Sequence, residues 1–354
     1  MQITFFIGNG FDINAGLNTR YSDFIKWFIH KDMDHLSRQP LLTSQIKAFK
    51  NRIEDDISGN NLEGSKNWSD IEIMFGNDSA SFKTESQYRE IWSYLEERLV
   101  AYLKEEESKV SLHSFEESII DVFQHSIFSF HEYARPSFAR KILEILRRFP
   151  NNAGVLSFVS FNYTHAFEKC LSLISDNDSI IHPITNENSN IITYRYEPIL
   201  YIHGEIRNND NHPFIGVDNI GQIANDSFHD FSAIQSIVIK SGRDKFYGIN
   251  NNSVCEEYIN KSDIIIFGMS LGKTDAMWWK YIGQWLRNSV LHYLLLFNYV
   301  PDDNIIPNEK YNIMMNTSHR FCDLAEIDDI SFEKLQPQIE IILKQGMFNV
   351  KLVE

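Results

Sequence analysis

The sequence predicts an α/β fold built on a parallel sheet and carrying a large helical insertion. Three observations predict it. Short apolar runs rich in Ile, Val and Phe occur at the start of the chain and again after residue 150. Such runs suit strands buried on both faces. The first of them leads directly into glycines, the usual opening of a strand-turn-helix unit. Residues 21–149, between the two sets of runs, show helical periodicity instead.

Taken in order, Ile3-Thr4-Phe5-Phe6-Ile7 reads as the first strand, closed by Gly8-Asn9-Gly10. In the insertion, Tyr88, Ile91, Trp92, Leu95, Leu99, Tyr102 and Leu103 repeat at helical spacing, with polar loops such as Ser58-Gly59-Asn60-Asn61 between helices. Ser114 with Glu117 reads as a capping box for a helix carrying Ile119, Ile120, Phe123, Ile127 and Phe128. Phe138, Ile142, Ile145, Leu146 and Phe149 mark another helix. Strands return at Val155–Phe161, Ile199–Ile202, Asp263–Phe267 and His292–Val300. The expected organisation is therefore a core of residues 1–20 plus 150–354, with a helical module of residues 21–149 inserted.

The 354 residues suffice for one elaborated domain or two. Apolar residues are 43% and charged residues 23%, an ordinary globular balance. The net charge of −15 repels a phosphate backbone and an anionic bilayer, so neither nucleic acid nor membrane is an expected partner. Cys170, Cys255 and Cys322 form no closely spaced pair, which speaks against a structural zinc or a disulfide framework and for a reducing, cytoplasmic setting. There is no basic leader before a long apolar run, and no run approaches the roughly 20 residues of a membrane span.

Four short motifs carry chemistry. Gly8-Asn9-Gly10-Phe11-Asp12-Ile13-Asn14-Ala15-Gly16 follows a strand, where glycines let backbone N–H groups approach a phosphate. The dinucleotide fingerprint fails, because Ile13 stands where a small residue is needed. A ligand-free tight turn is an equal reading of this motif alone. Asn162 and Thr164, in Ser160–Thr164, follow the second strand, where open α/β sheets place ligands, although an Asn-capped turn is common. His203-Gly204 follows an apolar run and suits a general base, against the plainer reading of a satisfied histidine.

The fourth motif is Gly268-Met269-Ser270-Leu271-Gly272-Lys273-Thr274-Asp275. A phosphate-binding P-loop has four residues between its glycines, and here there are three. A nucleophile elbow fits, with Ser270 as nucleophile and Asp302 and His319 as partners. A nucleotide-binding turn also fits.

In order, these four motifs resemble the sirtuin NAD-binding fold. Gly8, Gly10, Ala15 and Gly16 match its glycine loop, and Asn162 matches its Asn turn. His203 matches its catalytic His-Gly, and Gly268, Ser270 and Leu271 match its last strand end. Sirtuin zinc cysteines are absent, Asn18-Thr19-Arg20-Tyr21 replaces a Pro-Asp-Phe-Arg stretch, and Thr164 stands where an Asp is usual. These departures speak against deacylation of protein lysines and leave cleavage of NAD by water open.

The chain also resembles the bacteriophage abortive infection AbiH family. The resemblance rests on Ile7–Asp12, Gly16-Leu17, Thr19, Tyr21 and Phe24, then Trp68, Asp70, Ile71 and Glu72. It continues in Phe161–Thr164, Ile202–Gly204 and Phe267–Asp275.

The two resemblances imply a sirtuin-like, Rossmann-type core and an NAD hydrolase of phage defence. NAD would be substrate, with no metal. His203 and Asn162 would be catalytic. Gly8, Asn9, Gly10, Phe11, Asp12, Gly16, Thr164, Gly268, Ser270, Leu271 and Asp275 would bind the nucleotide. A phage-encoded trigger and a second copy of the chain are the expected protein partners. A serine hydrolase using Ser270 and a non-catalytic nucleotide sensor are the alternatives.

Overall fold

The structure is a computed structural model. It describes residues 1–30, 43–51, 68–148, 154–183, 193–207, 213–240, 242–243, 250–268, 271–298, 306–343 and 347–353. Of Trp68–Ile71 and Thr274 it describes the backbone alone. Phe149, Met269, Ser270, Tyr299, Val300 and Asp302 lie outside the described residues, as does the Ser58–Asn61 loop.

Among the described residues, eight strands form one mostly parallel sheet. They are β1 (Gln2–Ile7), β2 (Gly154–Ser160), β3 (Ile180–Ile181), β4 (Tyr194–Tyr196), β5 (Leu200–Tyr201), β6 (Ile264–Gly268), β7 (Tyr293–Phe297) and β8 (Ile339–Ile342). Their order is β3-β4-β2-β1-β6-β7-β8, with β5 pairing β2 beyond β4. Only the β3–β4 pair is antiparallel among the described strands. From β1 the order runs one way to β2 and the other way to β6, so the winding reverses between β1 and β6.

Strand side chains alternate between two buried faces, as their period of two requires. Ile3, Phe5 and Ile7 of β1 join Ile264 and Ile266 of β6 on one face. Phe6 joins Ile265 and Phe267 on the other. Full burial of side chains such as Phe5 and Phe158 is worth about 1.5–3 kcal/mol each. The rings of Phe5 and Phe158 also stack at 5.2 Å.

Helix α1 (Gly10–Asn14) follows β1 at once. It ends at Gly16, whose φ of +94° is a left-handed conformation that glycine adopts without strain. Helices α2 (Tyr21–His30), α3 (Trp68–Asp78), α4 (Glu85–Glu107), α5 (Glu116–Phe128) and α6 (Pro136–Arg148) fill the span before β2. Among the described residues of that span the expected helical character is observed. The capping box is not: the residue before α5 is Phe115, whose side chain makes no capping hydrogen bond.

The packing divides differently from the chain order. α5 and α6 place Ile119, Phe123, Ile127, Phe138 and Ile142 on the first sheet face. α2 and α4 instead build a separate apolar cluster, with Phe24, Phe28, Trp92 and Leu95. That cluster takes in Ile215, Val217, Ile234, Val238 and Ile239 from the segment after β5. At Gly76 of α3, a Cβ would lie 2.1 Å from the Gln222 carbonyl oxygen, so only glycine lets α3 approach that segment.

Helices α7 (Ala166–Leu171) and α8 (Ser232–Ile237) are short. The second sheet face is covered by α9 (Asn251–Lys261), α10 (Ala276–Asn288) and α11 (Pro307–Leu324). No helix among the described residues is long and apolar enough to cross a membrane.

Candidate functional site

β1, β2, β5 and β6 run parallel, so the segments that leave their carboxyl ends meet on one side of the sheet. There they enclose a cavity of about 60 Å³. Gly8, Asn9 and Asp12 come from the β1 turn, and Phe161, Asn162 and Tyr163 from the β2 turn. His203 comes from the turn after β5, and Gly272 and Asp275 from the segment after β6. Glu72, Lys240, Thr19 and Leu103 complete the lining.

One part of the site is built around Asp12. Asn162 Nδ2 donates to its Oδ1 at 3.2 Å, and Thr164 Oγ1 donates to its Oδ2 at 2.7 Å. The carboxyl is 1% exposed. Burial pushes its pKa up to about 7, although the Thr164 hydrogen bond pulls the other way, and the nearby Glu107 charge adds to the rise. Asp12 therefore changes charge near neutral pH. Asn162 Oδ1 is buried and has no hydrogen-bond partner among the described residues. A buried carbonyl oxygen of that kind carries a desolvation cost that a ligand donor or a bound water would relieve.

The other part is a chain of charges. His203 Nε2 lies 3.0 Å from Asp275 Oδ1. The same oxygen accepts from Lys240 Nζ at 3.0 Å, and Lys240 also donates to Glu72 Oε2 at 3.0 Å. Burial alone would raise the Asp275 pKa. The Lys240 and His203 charges outweigh burial and hold it well below the usual carboxylate range. Lys240 is likewise buried, and its two carboxylate partners still push its pKa up. With Nε2 turned to Asp275, Nδ1 is the ring nitrogen left for chemistry. The Phe161 ring, edge-on to the imidazole at 5.1 Å, holds its other contact.

The structure brings Gly8, Asn9, Asp12, Asn162, His203 and Asp275 to one cavity. Within it Asn9 is already engaged, and other residues of the sequence reading have different places. Asn9 is bound on both sides by Thr19, donating to its carbonyl at 2.7 Å and accepting from its hydroxyl at 2.6 Å. Phe11 points into the core against Phe123 and Phe167, and its N–H donates to the Gly8 carbonyl. Thr164 reaches the cavity only through Asp12. Gly16 abuts Val353, and Leu271 is part of the core below the second sheet face. Gly10 is exposed at the start of α1, and Gly268 ends β6 near the Phe6 carbonyl. Ser270 lies outside the described residues. His319 is exposed on α11 and does not line the cavity.

Lys240 escaped the sequence reading. It follows the short apolar run Ile237-Val238-Ile239, which the sequence reading did not single out, and only the fold brings it to Asp275. Glu72 was visible solely as part of a family element.

The family model described as bacteriophage abortive infection AbiH matches residues 4–296. No curated protein matches the chain.

Proposed function

The chain belongs to the bacteriophage abortive infection AbiH family, and from that premise we propose that its cleft hydrolyses NAD to nicotinamide and ADP-ribose in phage defence. One observation carries the reading. The segments that leave four parallel strands deliver Asp12, Asn162, His203 and Asp275 to a single cavity beside the point where the sheet reverses its winding. Nucleotides bind open α/β sheets at such a reversal. The order of the parallel strands, with β4, β2 and β1 on one side and β6, β7 and β8 on the other, is compatible with the sirtuin-like, Rossmann-type core of the sequence reading.

Nicotinamide is a good leaving group because its ring nitrogen is cationic in NAD. The water oxygen bonds to the ribose carbon, the carbon–nitrogen bond breaks, and its electron pair leaves with nicotinamide. His203 takes the proton from the water through Nδ1. Asp275 fixes the ring and stabilises its charged form, as carboxylates do for catalytic histidines. Asn162 Oδ1 accepts from the water or from a ribose hydroxyl, which gives that oxygen its missing partner. The cavity of about 60 Å³ holds on the order of four waters, so it suits the reacting end of the substrate rather than the whole dinucleotide.

The His203–Asp275 pair also supports a second reading, in which it activates Ser270 for acyl transfer. Nicotinamide release from NAD by the purified protein, with His203→Ala beside it, tests the first reading. A fluorophosphonate adduct at Ser270 with NAD left intact would favour the second.

A further inference from the structure

The charge chain Glu72–Lys240–Asp275–His203 crosses between two packing units. Asp275 directly precedes α10, whose Trp279 is buried against the second sheet face. Lys240 belongs to the other unit. Its backbone N–H donates to the Val217 carbonyl at 3.0 Å, and Val217, Val238 and Ile239 lie in the apolar cluster of α2 and α4. Glu72 is on α3, which packs against the turn carrying Asp275, and its Oε1 accepts from the Gly216 N–H at 3.3 Å.

We propose, resting on the reading of the cleft as a hydrolytic site, that Lys240 is a positioning residue for His203. It is held in place by Glu72, so the helical insertion completes the site. A carboxylate has several acceptor directions. The Lys240 ammonium occupies one of those on Asp275 Oδ1 and restricts how the carboxylate can turn against the imidazole. It also sets the field at the ring. Removing Lys240 leaves Asp275 unopposed and favours the charged imidazole. Removing the Glu72 charge frees Lys240 to oppose Asp275 more strongly and disfavours it. The two changes therefore act on His203 in opposite directions. A lysine that served folding alone would leave kcat unchanged in folded variants, whatever field it exerts on the ring. Asp12 also lines this cavity, and Asp218 interacts electrostatically with both Asp275 and Lys240. Both are unchanged in the two variants.

The test is an NMR titration of the His203 ring in the full chain, for wild type, Lys240→Met, Lys240→Arg and Glu72→Gln, read beside the kcat and KM of NAD cleavage. The pH at which the ring takes up its proton is expected to rise in Lys240→Met and fall in Glu72→Gln, each by about half a unit or more. In Lys240→Met, kcat is expected to fall at least tenfold with KM within about threefold, and Lys240→Arg to recover most of the loss. Shifts of the same sign, shifts below about half a unit, or an unchanged kcat in folded Lys240→Met would overturn the proposal. If Lys240→Met does not fold, Glu72→Gln and Lys240→Arg still decide it. If wild type cleaves no NAD, the hydrolase reading fails while the titration still judges the positioning role.

Discussion

His203 and His165 sit in similar company with different consequences. Each is a nearly buried imidazole beside a carboxylate, with basic side chains close by. His165 pairs through Nε2 with Glu205, and its Nδ1 lies 3.6 Å from Glu107, the last residue of α4. Glu107 also takes Lys169 Nζ and Arg207 Nη2 at 2.7 Å each. A carboxylate at a helix C-terminus opposes the macrodipole, and these three basic groups offset that. Burial alone would raise the Glu107 pKa, yet its partners hold it down at about 2. Burial would lower the His165 pKa, yet its two carboxylates raise it. This cluster lines no part of the described cavity. The His203 chain lines that cavity, next to an acceptor with no partner. A histidine among charges is thus no sign of catalysis by itself. His165 Nδ1 is itself buried with no hydrogen-bond partner among the described residues, so the open space beside His203 is what separates a site from a strut.

The largest expected effect breaks the pair apart by function. His203→Ala should lower NAD turnover by about 10²–10⁴-fold. Asn162→Ala should fall comparably, and both should retain the fold by circular dichroism. His165→Ala should do the converse. Turnover should stay within a few-fold of wild type, while denaturant titration shows a loss of about 1–3 kcal/mol, because Glu205 loses its buried partner. Equal losses of turnover in His203→Ala and His165→Ala would erase the distinction.

Asp12 sharpens the comparison through pH. Its carboxyl titrates at about 7 in the fold against 3.8 as the ordinary value, so the folded state holds the extra proton between those two values. Stability contributed by this group is therefore full below about pH 4 and lost as pH rises through about 7. Asp12→Asn should raise stability at pH 8 by about 1–4 kcal/mol and change little at pH 4, measured by chemical denaturation at both.

Glu107 has the opposite sign. Its folded pKa is depressed from 4.5 to about 2, so its contribution is present above about pH 4.5 and disappears as pH falls toward 2. Glu107→Gln should flatten the acid limb of the stability profile. His165, with a raised pKa, contributes fully below about pH 6.5 and loses that contribution as pH climbs above it. His165→Gln should flatten the alkaline side.

Ser270→Ala gives the smallest expected effect. The loss of one neutral hydrogen bond to a ribose hydroxyl costs about 0.5–1.5 kcal/mol, roughly a two- to twelvefold change in turnover. A dead Ser270→Ala with an active Asn162→Ala would instead support the hydrolase reading.

Much of this architecture was legible before the fold was known. β1, β2, β6 and β7 announce themselves because strands buried on both faces need near-continuous apolar runs. β8 does not, since Glu340 interrupts its apolar residues. That carboxylate is buried in a bidentate pair with Arg135, a partner 205 positions away. β4 is Tyr-Arg-Tyr and carries no apolar run. Asp12, Asn162, His203 and Asp275 were legible because each follows a strand end. The pairing of His203 with Asp275 was not, since neither residue type nor spacing encodes a contact between separate turns. Lys240 was least legible of all, being placed by the close approach of α3 and the segment after β5.

The central claim is that the cleft destroys NAD when phage arrives. NAD content measured in infected cells tests it most directly, with wild-type protein, His203→Ala and an empty control compared over the infection. NAD is expected to fall in wild-type cells alone, and the His203→Ala cells are expected to lose both NAD depletion and protection. Wild-type cells that keep their NAD and still survive the phage would contradict it.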